Sequence, residues 1–179
     1  KAFAPHGPIE LQDGRLMYAS YTWPSAIKGL RSPNDDPSID VGDTETVAVE
    51  STDEGRSWRI IGKIPVPTMD LVDRVNFSEP HVVEAADGRL VCLSRNHPES
   101  RGNSDLATSV ASRATEDWYM RQSESTDGGR TWSEARKTPI WGYPPHLLRL
   151  HNDDILVSYG HRRPPYGQRA CLSHDGGRT

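Results

Sequence analysis

The chain has 179 residues, a net charge of -4 and a mean hydropathy of -0.71, with 34% hydrophobic residues. That length is enough for one domain with a core of its own. The weak negative charge offers no attraction to nucleic acid or anionic membrane, and no apolar run approaches the roughly 18 residues of a membrane span. Glycine (15) and proline (14) are plentiful beside five Trp and six Tyr, a mixture suited to short strands and tight turns rather than to disorder. Cys92 and Cys171 each sit in an apolar strand-like run and read as small core residues, not as a disulfide framework or metal site. No leader peptide is recognisable; the chain starts in mid-pattern, and a secreted or periplasmic location is compatible with it.

The first unit, taken as about 6–65, opens with Pro8-Ile-Glu-Leu-Gln-Asp-Gly-Arg-Leu-Met-Tyr18, two apolar runs around an Asp-Gly turn, a strong hairpin signal. A long acidic loop containing Asp40 and Asp43 follows and reads as solvated. Before its last strand the unit carries the turn Ser51-Thr-Asp-Glu-Gly-Arg-Ser-Trp58. In this turn Asp53 can accept backbone N–H bonds, Gly55 permits a backbone angle closed to other residues, and Trp58 begins the next strand with a ring to bury.

The second unit, about 77–139, repeats the plan. Pro80-His-Val-Val-Glu-Ala-Ala-Asp-Gly-Arg-Leu-Val-Cys-Leu93 is its hairpin and Ser125-Thr-Asp-Gly-Gly-Arg-Thr-Trp132 its closing turn. The third, about 143–179, carries Pro145-His-Leu-Leu-Arg-Leu-His-Asn-Asp-Asp-Ile-Leu-Val157 and then Ser173-His-Asp-Gly-Gly-Arg-Thr179, one residue short of the expected Trp. Each unit predicts four strands, the third lacking its last. Four-stranded units in series are propeller blades, so the expected fold is an all-β propeller of antiparallel blades, about three present in one partial domain.

The repeated turn is the Asp box. Together with "FSEPHVVEAADGRLVCLSRN" and "GPIELQDGRLMYASYTW" it resembles the bacterial-type sialidases (neuraminidases, exo-α-sialidases) and their BNR-repeat relatives. That resemblance covers nearly the whole chain and implies the middle blades of a six-bladed propeller. It also implies a glycoside hydrolase removing a terminal acidic sugar, without cofactor or metal. It places Glu79 at the position of a glutamate that activates a nucleophilic tyrosine. Arg95, sixteen residues on, matches one arginine of a carboxylate clamp. A further clamp arginine is expected among Arg162, Arg163 and Arg169. The chain departs from the family in having Ser-Glu-Pro where the family has Asn-Glu-Cys. A hydrolase for another acidic sugar and a non-catalytic glycan- or protein-binding propeller are the alternatives. No position matches the family's first arginine, aspartate or nucleophilic tyrosine, so the 179 residues alone are expected to be inactive. Their open blade faces are expected to need further blades or a second copy.

Strand order supplies a separate expectation. The hairpin turns and Asp boxes share one end of the blades. Glu79, at the start of an innermost strand, Arg95, ending the next strand, and Arg162, Arg163 and Arg169 share the other. His6, Tyr21, Trp23, Tyr143 and His146 are expected beside them. Guanidinium forks and aromatic faces suit an acidic sugar. By contrast, Asp53, Asp127 and Asp175 read as turn formers, Arg15 and Arg89 as solvated surface, and Trp58 and Trp132 as core. His6, His97 and His146 read as polar rim residues rather than metal ligands.

Overall fold

The computed structural model describes residues 6–21, 46–65, 75–98 and 119–179. Trp23, Asp40 and Asp43 lie outside those residues, as does the side chain of His97.

Three antiparallel sheets follow one another along the chain. The first consists of β1 (Ile9–Glu10), β2 (Leu16–Tyr21), β3 (Thr46–Ser51) and β4 (Arg59–Ile64), hydrogen-bonded in that order. The second repeats it with β5 (Val75–Glu84), β6 (Leu90–Pro98), β7 (Tyr119–Ser125) and β8 (Arg136–Trp141). The third has β9 (Pro145–Arg149), β10 (Ile155–His161) and β11 (Gly167–Ser173). Sequential meanders of this kind are the blades of a β-propeller, here a partial one.

The hairpin turns hold because one residue in each takes the left-handed backbone: Gly14 (φ 84°), Gly88 (φ 80°) and, in the third blade, Asp153 (φ 69°). In the Asp boxes the aspartates do structural work. Asp53 accepts hydrogen bonds from the Ser57 amide (2.8 Å), the Ser57 hydroxyl (2.6 Å) and the Ser51 hydroxyl (2.8 Å). These bonds hold its carboxyl near 2, and Asp127 near 2 as well, where its bonds outweigh the opposing effect of burial. Ser51 Oγ in turn accepts the Gly55 amide (2.9 Å), and the Trp58 indole N–H donates to Gly55 O (3.1 Å).

The core lies between sheets. Met17, Ala48 and Ile61 of the first blade pack with Val82, Leu90, Cys92 and Trp132 of the second. Cys92 is wholly buried, which pushes its thiol up to about 12, and both cysteines are free, as expected of packing residues. Trp132 is core as expected. Trp58 is only half-buried, edge-on to Tyr18 at 5.0 Å on a cluster of Val47, Val49 and Ile60.

The expectation for Arg15 and Arg89 is corrected by the structure. Arg89 is 8% exposed, its guanidinium 2.9 Å from Glu124 and donating to Gly176 O of the third-blade Asp box at 2.6 Å. Arg15 pairs with Glu50 and reaches Gly128 O of the second-blade box at 3.4 Å. The hairpin arginine of one blade therefore tethers the box of the next. Its charge is not free for solvent because a carboxylate waits one residue before the box Ser. That carboxylate is shared with a second arginine at the start of the last strand: Arg15–Glu50–Arg59 in one blade, Arg89–Glu124–Arg136 in the next. Burial alone would raise the Glu50 carboxyl, yet hydrogen bonds from Arg15 and Arg59 lower it.

Candidate functional site

Opposite the Asp boxes, β5 carries a bulge between Ser78 and His81. Glu79 sits in it with φ 50°, a left-handed conformation that a non-glycine residue adopts at a cost of about 1–3 kcal/mol and that recurs at functional positions. The strand starts earlier than its sequence suggests, at Val75, so Glu79 is within β5 rather than at its first residue. Arg95 likewise lies inside β6, paired across from Ser78. The bulge turns Glu79 toward Arg95, whose Nη1 donates to Glu79 Oε2 at 3.0 Å.

The Arg95 guanidinium also lies over the ring of Tyr143, 3.7 Å from its centroid. Tyr143 follows β8 in the turn leading to β9, where its amide donates to Gly160 O (3.0 Å). A Cβ on Gly142 would come within 2.5 Å of Gly160 O, so only glycine lets the two backbones approach this closely. Arg162, just past the end of β10, faces the same ring at 5.3 Å. Two guanidiniums thus share one aromatic ring, with a carboxylate holding the first of them in place.

The other two candidate arginines sit elsewhere. Arg163 lies over Trp141 at 4.3 Å. Trp141 is buried and meets His161 edge-on at 5.3 Å, so Arg163 flanks the cluster rather than joining the Tyr143 ring. Arg169 is exposed on β11, across from Tyr159. Of the three, only Arg162 meets the ring that holds Arg95.

Beside this group three histidines meet. His6 precedes β1, His81 lies on β5 and His146 on β9, one from each blade. Their rings are 4.5 Å (His6–His81), 4.5 Å (His81–His146) and 5.5 Å (His6–His146) apart, and one nitrogen from each lies within 4.8 Å of the others. Burial, with the nearby imidazoles, pushes His81 down to about 3. Burial and then His146 lower His6, against the opposing charge of Glu79. His6 and His146 are expected in this region from strand order, but His81 is not anticipated, and neither is the convergence. The signal that could have found it is the Pro-His pair opening the hairpin segment of two units, Pro80-His81 and Pro145-His146.

No protein-family model matches the chain, and no curated protein matches it. Among solved structures it is similar to a protein of unknown function from Dyadobacter fermentans DSM 18053, with 26% identity and a TM-score of 0.67 over 96% of this chain and 37% of that one. It is similar in fold to the GH93 α-L-arabinofuranosidase of Fusarium graminearum (17% identity, TM-score 0.56, 96% of this chain and 45% of that one). The NanB sialidase from Streptococcus pneumoniae is a further fold neighbour (17% identity, TM-score 0.53, 92% of this chain and 20% of that one). The chain therefore spans less than half the length of each of these proteins, and what it shares with them is the β-propeller fold.

Proposed function

We propose that this chain bears the substrate site of a carbohydrate-active propeller, a sialidase-like glycoside hydrolase that removes a terminal acidic sugar. The observation that carries the reading is Arg95, fixed between Glu79 and the Tyr143 ring with Arg162 facing the same ring. A guanidinium has five N–H donors, and only one of those on Arg95 is engaged by Glu79. The remaining donors, with those of Arg162, can take a sugar carboxylate in paired hydrogen bonds. Holding both guanidiniums before substrate arrives reduces the ordering cost of binding. The fold neighbours that act on glycans, an arabinofuranosidase and a sialidase, support a glycan ligand and divide on whether it is acidic.

In this reading Glu79 is the base that makes a tyrosine hydroxyl nucleophilic toward the anomeric carbon. A neutral tyrosine nucleophile is one of the exceptions to the two-carboxylate scheme. The positions of that tyrosine and of the acid that protonates the leaving oxygen are not matched in this sequence. A second reading, a non-catalytic glycan-binding propeller, is favoured by the ion pair itself: Glu79 Oε2 is already occupied as the acceptor of Arg95 Nη1.

The deciding experiment offers the intact protein an aryl sialoside, an aryl glucuronide and an aryl α-L-arabinofuranoside. Cleavage of an acidic glycoside is expected, with KM about 10–100-fold higher in Arg95→Ala and kcat lowered roughly 10²–10⁴-fold in Glu79→Gln. Preference for the arabinoside would reject the acidic sugar. Acidic-glycan binding that needs Arg95, without turnover of any of the three, would make the protein a binding module.

A further inference from the structure

Arg162 is exposed, and an exposed arginine samples many rotamers, a freedom it loses when it binds. Its surroundings restrict it beforehand. His161, the last residue of β10, is buried, and its Nδ1 donates to Pro165 O at 3.1 Å, which fixes the return of the turn that holds Arg162. The next residue, Arg163, is taken by the Trp141 ring. Two residues before Arg162, within β10, is Gly160. A Cβ on Gly160 would fall 2.9 Å from Tyr143 O, 3.2 Å from Arg162 Nε and 3.8 Å from Arg162 Cζ. A carbon atom settles at about 3.5 Å or more from non-bonded neighbours, so the first of these contacts is a clash with backbone and the second falls on the guanidinium itself. The Gly160 carbonyl also accepts the Tyr143 amide at 3.0 Å. Glycine inside a strand weakens it and marks a place where another group comes close. Here two groups come close, the backbone of Tyr143 and the guanidinium of Arg162.

We propose that Gly160 is a positioning residue of the acidic-sugar site: its missing side chain leaves the room in which the Arg162 guanidinium lies facing the Tyr143 ring, so the second arginine of the clamp is set before a ligand arrives. This rests on the acidic-glycan reading above. Gly160 touches no ligand itself and acts through Arg162. A larger residue at this position displaces the Tyr143 carbonyl, the Arg162 guanidinium or both, while the bond between Glu79 and Arg95 belongs to β5 and β6 and does not run through it. The freedom returned to Arg162 must then be lost again on binding, which weakens affinity without changing the charge of the site.

The test is calorimetric titration of the intact protein with N-acetylneuraminic acid and with D-glucuronic acid, for the wild type, Gly160→Ala, Arg162→Ala, the double variant and Arg95→Ala. Expected is a rise in Kd of about 3–10-fold in Gly160→Ala, the range set by freeing one flexible side chain, and no further rise when Gly160→Ala is added to Arg162→Ala. An equal rise in both backgrounds makes Gly160 a general packing residue and overturns the positioning role. An unchanged Kd in Gly160→Ala overturns it as well. In either case weaker binding in Arg95→Ala leaves the acidic-glycan reading standing. Binding indifferent to both Arg95→Ala and Arg162→Ala overturns that reading and the positioning role with it. ¹⁵N relaxation of the arginine Nε–H groups in the free wild-type protein needs no variant, and it decides the outcome if Gly160→Ala does not fold. Arg162 is expected to be as ordered as Arg95 and more ordered than the exposed Arg169; order as low as that of Arg169 overturns the proposal.

Discussion

The contact between the first and second blades packs around an indole, whereas the contact between the second and third is lined mostly by aliphatic side chains around a space of about 300 Å³. Both are built from the same parts. In the first contact Trp132 follows its Asp box and lays its indole among Met17, Ile61, Leu90 and Cys92, with its N–H on Gly129 O at 2.9 Å. In the second, the corresponding space is lined by Val91, Ile155, Val157 and Cys171 and by Gly177–Thr179 of the third box. The hairpin arginine tether is present in both. The tether sets where a box lies on its neighbour; the indole supplies the apolar area that makes the contact dense.

That difference can be broken or sharpened. Trp132→Ala removes the indole and is expected to cost about 3–5 kcal/mol, read as a lower denaturant midpoint with unchanged dependence on denaturant. A further effect concerns pH. The second contact also depends on His81, whose Nδ1 accepts the Leu147 amide across the two blades. His81 is depressed from 6.5 to about 3, so its stabilisation is complete above pH 6.5 and declines as pH falls from 6.5 toward 3, where the unfolded chain binds the extra proton. One proton gives a slope of at most about 1.4 kcal/mol per pH unit, and His81→Phe should flatten unfolding free energy against pH across that window.

Much of the fold was legible in the sequence. Blade order, hairpin turns and box positions all follow from local chemistry: Asp-Gly pairs for the turns, and a serine–aspartate–glycine set that closes on itself within a few residues. At each hairpin arginine the sequence shows a charged residue in a turn, which suggests water, and the structure pairs it with protein instead. Its partner, a backbone carbonyl on the next blade, lies 87 residues away for Arg89. In the site, Glu79 and Arg95 stand out from one stretch of sequence, and their side chains lie 3.0 Å apart. Choosing among Arg162, Arg163 and Arg169 was beyond the sequence, because neighbours along a chain leave a strand end in different directions.

The sequence by itself determined the blade plan, since each blade is specified by turns whose hydrogen bonds are short-range. Only the tertiary structure decided the bulge that sets Glu79 against Arg95, the shared Tyr143 ring, and the union of His6, His81 and His146. Those contacts join residues from different blades or from both sides of a ladder irregularity. Their geometry comes from how whole sheets pack, and no local pattern of residues encodes it.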